Sequence, residues 1–182
     1  VVSIIAGFGT VQIAANGVAN SLDSMGCIVG QAMNLAMITV IGRCVGAGDS
    51  GQVRYYTKKL LKITYLCTFM VNSVILLCLP WILKCYGLST ETTQLSYILV
   101  MIHNGMAMFL WPASFVLPNM LRACNDVRFT MVLSIFSMFM FRIGFSYIIG
   151  VNMGYGAIGV WIAMVLDWIC LLYTSPSPRD TE

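Results

Sequence analysis

The side chains able to do chemistry in this chain lie inside apolar stretches. Between Thr10 and Gly42, the residues Asn16, Asn20, Asp23, Cys27, Gln31 and Asn34 fall within an arc of about 80° when the chain is wound at roughly 100° per residue, so they share one face of a helix. Asp23 stands about 18 Å along that helix from Val11 at a rise of about 1.5 Å per residue, which puts it near mid-bilayer. A carboxylate at that depth is costly and by default marks a functional site. Out of water a carboxyl group favours its neutral form. Such a group can take up a proton, or pair with an organic cation, and release it when the site opens to one side or the other. The competing reading makes the Asn and Gln residues hydrogen-bonding glue between helices, with Asp23 neutral and satisfied among them.

Other polar groups are sparser. Arg142 and Asp167 stand in two neighbouring runs of opposite direction, so they can meet at similar depth as a structural ion pair. His103 and Asn104 share another run; a lone intramembrane His is either a satisfied packing residue or a proton relay. Trp111, Pro112 and Pro118 follow in that run and should bend or break it, as in the interrupted helices that border cavities. Cys27, Cys44, Cys67, Cys78, Cys85, Cys124 and Cys170 are scattered without a CxxC pair or a nearby His. No disulfide framework, metal site or catalytic residue is expected from them.

The elements that must position these groups follow from composition. Of 182 residues, 59% are hydrophobic and 9% charged, where a soluble domain has about 25% charged residues. Lipid is therefore the expected solvent for most of the surface. Five runs of spanning length are separated by polar breaks: Thr10 to Gly42, Ile63 to Leu83, Leu95 to Leu117, Thr130 to Gly150, and a shortened Ala157 to Ile169, with residues 1 to about 8 as the remnant of another. The expected fold class is all-α, a polytopic membrane helix bundle, with no barrel-like strand alternation. Arg43, Arg54, Lys58, Lys59, Lys62, Arg122 and Arg128 fall in alternate loops, against Lys84 in the loop between them. The positive-inside rule makes the loops around Gly46-Ala47-Gly48-Asp49 and Arg122 to Arg128 cytoplasmic.

Both ends read as unnatural. Val1 opens inside an apolar run with no basic region before it, so no signal peptide is expected in this stretch and the start is expected to be a cut. The string from Cys170 to Asp180, Cys-Leu-Leu-Tyr-Thr-Ser-Pro-Ser-Pro-Arg-Asp, resembles the translation of a sequencing adapter. Residues 170–182 are accordingly set aside, and 1–169 form one unit.

Four stretches in order carry a resemblance. They are Gly30-Gln31; Gly-Arg-Cys-Val-Gly-Ala-Gly-Asp from Gly42 to Asp49; Leu-Arg-Ala-Cys-Asn-Asp from Leu121 to Asp126, with Arg128-Phe129; and Gly-Val-Trp-Ile-Ala-Met-Val-Leu-Asp-Trp from Gly159 to Trp168. Together they resemble the C-terminal lobe of a multidrug and toxic compound extrusion (MATE) transporter. The resemblance implies a lobe running from the end of helix seven through most of helix twelve, whose partner is an N-terminal lobe of the same polypeptide. It implies a multi-pass protein of the plasma (inner) membrane that exports organic cations or amphipathic drugs by alternating access between two lobes, in exchange for H⁺ or Na⁺ and with no other cofactor. The intramembrane polar residues read above, Asp23, Asn16, Asn20, Gln31, Asn34, His103 and Asn104, are the candidate substrate- or ion-binding groups, and Gly46, Gly48, Asp49, Arg122 and Asp126 the cytoplasmic loop motifs. Some members carry an acidic residue on helix ten; here no carboxylate lies between Leu95 and Leu121.

Rivals are few. Gly46-Ala47-Gly48-Asp49 fits the GxGD pattern of intramembrane aspartyl proteases, but it stands in a polar, basic loop and no Tyr-Asp dipeptide supplies a second carboxylate. HExxH, GxSxG and P-loop motifs are missing, so an enzyme is not expected. Neither is a nucleic-acid partner. A flippase for lipid-linked oligosaccharides would need several embedded Arg and Lys, where only Arg142 is embedded. A purely structural membrane subunit leaves the Asp23 stripe unexplained.

Overall fold

The computed structural model describes residues 2–123 and 127–174. A short helix α1 (Val2–Ala6) leads into α2 (Thr10–Gly46) and α3 (Ser50–Cys85). Next come α4 (Thr90–Trp111), a π-helical turn (Pro112–Val116), α5 (Leu117–Ala123), α6 (Val127–Ser137), a π-helical stretch (Met138–Asn152) and α7 (Gly156–Thr174). Five helical segments are long and apolar enough to cross a membrane: Thr10–Gly46, Ser50–Cys85, Thr90–Met120, Ser134–Asn152 and Gly156–Tyr173. They match the five runs of the sequence, and no strand occurs among the described residues. α7 continues without a break through Cys170 as far as Thr174.

Short, capped connections set the bundle. Gly46 closes α2, Gly48 takes a positive φ of 71°, and the Asp49 carboxylate accepts from the Gln52 backbone N–H at 2.9 Å, capping α3. This is the stop and restart that the Gly-Ala-Gly-Asp string encodes. Ser89 caps α4 through the Thr92 N–H. At the end of α4, Pro112 lacks the N–H that would bond back one turn, and the helix answers with the π turn Pro112–Val116. The bend expected at Trp111-Pro112 is therefore a local rewinding. The hydroxyl of Ser114, on that turn, donates to the Trp168 carbonyl of α7 at 2.7 Å.

Two apolar cores stack along the bundle. One joins Leu22 of α2, Leu79 and Leu83 of α3, Leu99 and Val100 of α4, and Val160 and Trp161 of α7. The other joins Met37 and Ile41 of α2, Ala107 and Trp111 of α4, Val116, Met120 and Trp168. Outward-facing Met25, Ile28, Leu35, Leu66, Leu77 and Trp81 are exposed, as a lipid-facing surface requires. On α2, buried Ala19, Leu22, Gly26, Gly30 and Met37 lie on a face rotated by roughly 90° from the polar stripe. The stripe thus runs along the edge of the packed face.

Candidate functional site

Thirteen residues separate Thr10 from Asp23 and Thr90 from His103, about 20 Å of helix in each case. Helices α2 and α4 pack together, and these equal offsets bring the two side chains together in the stretch of bundle between the two cores. There a cavity of about 320 Å³ opens. Asp23, Ser24, Cys27, Gln31 and Asn34 line it from α2, and His103 and Trp111 from α4. Phe115 comes from the π turn, Arg142 from the π stretch, and Met164 and Trp168 from α7.

Asp23 and His103 form its charged centre. His103 Nδ1 lies 2.8 Å from Asp23 Oδ1, close enough for a strong electrostatic contact, although the ring N–H is not aimed along the line of a hydrogen bond. His103 is 1% exposed and Asp23 21%, so the carboxylate faces the cavity and the imidazole stands behind it. Cys27 Sγ donates to the same Oδ1 at 3.4 Å, one turn along α2. The His103 ring is held edge-to-face by Trp161 and Trp168, at centroid distances of 4.7 and 4.5 Å. His103 Nε2 has no hydrogen-bond partner among the described residues. An aromatic clamp therefore holds the imidazole beside a carboxylate that water or a ligand can reach. Trp168 also meets Phe115, which stacks on Trp111, and this aromatic wall carries on across the cavity.

The sequence-derived candidates divide. Asp23, Gln31, Asn34 and His103 come together in the cavity, and the Asn34 Oδ1 is buried without a partner. Asn16 does not line it. Its Oδ1 accepts from the Trp161 indole N–H at 3.0 Å, so Asn16 holds α7 through a member of the aromatic clamp. Asn20 is exposed and outside the cavity. Asn104 is fully buried and points towards Gly26 and Asn72, where a Cβ on Gly26 would lie 2.5 Å from Asn72 Oδ1 and 3.4 Å from Asn104 Nδ2. Both Asn104 amide atoms lack a partner among the described residues.

The expected Arg142–Asp167 ion pair is replaced by a different arrangement. Asp167 accepts a short hydrogen bond from the Ser137 hydroxyl, and Arg142 acts on it by its field alone while lining the cavity. The winding explains this. The π stretch starts at Met138, and in π geometry residues five apart stack on one side, so Ser137 and Arg142 both face the α7 side. At α-helical winding they would diverge by roughly 140°. Of the loop motifs, Gly46, Gly48 and Asp49 form the α2–α3 connection described above. Asp126 and the Arg122 side chain lie outside the described residues.

Sequence reasoning missed Trp161, Trp168, Phe115 and Ser137 as parts of the site. Trp161, Met164 and Trp168 are spaced i, i+3, i+7, a one-face stripe that could have been singled out. The thirteen-residue offsets would have paired Asp23 with His103. Nothing in the sequence signals Ser137, whose role follows from π winding.

Five spanning helices around a charged internal cavity define a multi-pass membrane protein. The chain belongs to the MatE family, whose family model matches residues 1–148. It is similar to a Bacillus subtilis (strain 168) protein named uncharacterized transporter YisQ, with 31% identity over 55 residues, 30% of this chain and 12% of that protein. The chain thus matches only a small part of the length of that relative. No solved structure matches it.

Proposed function

We propose that this chain is the C-terminal lobe of a secondary antiporter that exports organic cations or amphipathic drugs by alternating access, together with an N-terminal lobe of the same polypeptide. In this reading residues 170–182 lie outside the lobe. The protein sits in the plasma (inner) membrane, and the coupling ion is H⁺. The observation that carries this is the Asp23–His103 contact at 2.8 Å on the cavity wall.

The chemistry runs through that pair. With one proton shared between carboxylate and imidazole the pair is neutral or a tight zwitterion, either of which the low-dielectric interior tolerates. A cationic substrate entering the cavity competes with that proton for Asp23, and the aromatic wall of Trp111, Phe115 and Trp168 receives its flat apolar body. Substrate in and proton out, then the reverse on the other side, is antiport. Na⁺ fits less well, since it would need several oxygens where Oδ1 already faces an imidazole nitrogen and a thiol. Among the described residues Arg142 is the only Lys or Arg lining the cavity, fewer cationic groups than a pyrophosphate-linked lipid would call for.

The test is pH-gradient-driven uptake of ethidium, a fluorescent organic cation, into inverted vesicles. Asp23→Asn should abolish it at unchanged membrane abundance, and His103→Gln should lower it and shift its pH profile. Coupled uptake that survives Asp23→Asn sinks the reading. Activation by a Na⁺ gradient and not by a pH gradient overturns the choice of ion.

A further inference from the structure

The first thirteen residues of α3 carry a charge pattern that the cavity does not use. Arg54, Tyr55, Lys58, Lys59 and Lys62 fall within an arc of roughly 140° at helical winding. All are exposed, whereas Thr57, Thr64 and Thr68 on the other side are buried. Past Lys62 the same arc continues as Leu66, Phe69 and Leu77, which are 62%, 49% and 81% exposed. One face of a continuous helix therefore changes from basic to apolar within a turn. A face that is apolar and uncovered is in lipid, so the basic part stands where that lipid ends, at the headgroups.

Neighbouring features fit the same ligand. Between the end of α2 and the start of α3 lies a groove of about 380 Å³ lined by Arg43, Gln52 and Tyr56 among others. Lys59 Nζ sits 5.6 Å from the centre of the Tyr55 ring, an arrangement suited to the membrane interface. Asp49 is the only acidic residue between Asp23 and Glu91, and its two oxygens are taken by the Gln52 backbone and side-chain N–H groups at 2.9 Å. Lys58, Lys59 and Lys62 thus meet no other carboxylate of α3 or of the adjoining half of α2.

We propose that this face binds the headgroups of anionic phospholipids, with Lys58, Lys59 and Lys62 meeting the phosphates at the bilayer surface and Arg43 drawing one headgroup into the α2–α3 groove. This site is independent of the transport reading. The sharp basic-to-apolar change along one exposed face selects a lipid over a soluble anion, because only a lipid presents phosphate and acyl chain to adjacent stretches of that face.

The experiment is native mass spectrometry of the purified protein with phosphatidylglycerol and phosphatidylcholine in competition. The wild type should prefer phosphatidylglycerol, and Lys58→Gln/Lys59→Gln/Lys62→Gln should lower the ratio of binding constants by about fivefold or more. Lys58→Arg/Lys59→Arg/Lys62→Arg should retain it. If the neutralised variant fails to fold, salt titration of the wild type decides, since a headgroup site loses its preference as ionic strength rises. An unchanged preference in the neutralised variant, or one insensitive to salt, overturns the proposal. Inorganic phosphate displacing phosphatidylglycerol at equal concentration also overturns it, by showing a free-anion site.

Discussion

The sharpest quantitative consequence of the packing lies in two glycines of one helix whose substitution by alanine should act in opposite directions. Gly17 and Gly30 both stand inside α2, where Ala is favoured over Gly by up to about 1 kcal/mol. A Cβ at Gly17 meets nothing within 4 Å, whereas one at Gly30 would fall 2.0 Å from Cζ3 and 2.5 Å from Cη2 of Trp111. The ring cannot swing away cheaply: Trp111 is buried and stacks on Phe115 at a centroid distance of 5.1 Å. Overpacking of this kind costs about 1–3 kcal/mol. The propensity gain is common to both sites and cancels, so Gly30→Ala should be less stable than Gly17→Ala by the same 1–3 kcal/mol or so. At about 2–4 °C per kcal/mol for a chain of this length, that is a gap of roughly 2–12 °C in the midpoint of heat-induced loss of the monodisperse peak. Trp111→Phe removes the outer ring atoms that the new methyl strikes and should close most of the gap. A Gly30→Ala protein as heat-stable as Gly17→Ala would refute the close α2–α4 contact and the wall built upon it.

The remaining stability predictions concern buried hydrogen bonds. Ser137→Ala leaves the buried Asp167 carboxylate without its hydroxyl donor and should cost about 1–3 kcal/mol; Ser137→Ala/Asp167→Leu should recover most of that in the same thermal assay. Trp161→Phe keeps a ring against His103 but orphans the Asn16 Oδ1, a loss of about 1–3 kcal/mol. Adding Asn16→Leu should offset it, and a double-mutant cycle showing strictly additive losses would dismiss the hydrogen bond.

The sequence makes the spans legible because a bilayer demands about 20 apolar residues in a row, a requirement that local composition alone reveals. It also makes the polar face of α2 legible, and with it Asp23, Gln31 and Asn34 on the cavity wall. A helical wheel nonetheless gives faces and not partners. Asn16 and Asn20 share a stripe, yet one bonds Trp161 and the other is exposed, because the packed face of α2 is turned by roughly a quarter circle from the polar one. Depth along two opposed runs pairs Arg142 with Asp167 but does not say which way either side chain faces. The π winding from Met138 onward sets Ser137 beside Asp167, and a neutral hydroxyl satisfies that buried oxygen without a second charge having to be stripped of water. Pro112 signals an interruption, but not that the interruption takes the form of a π turn swinging Phe115 into the aromatic wall.

The position of the polar groups between the two cores argues for what they are for. The upper core uses Leu22, Leu99 and Trp161, the lower one Met37, Ala107 and Trp168, and α2, α3 and α4 spend their midsections on polar groups instead: Asp23 on α2, Thr68 and Asn72 on α3, His103 and Asn104 on α4. A bundle selected for stability alone would make one continuous apolar core there, since each buried polar atom without a partner costs about 1–3 kcal/mol. Thr68 Oγ1, His103 Nε2 and both Asn104 amide atoms are such atoms among the described residues. In the proposed transporter that cost is recovered when water, a proton or a substrate group enters the layer. A polar layer held between two cores that keep the helices aligned is what the proposed alternating access needs at its midpoint.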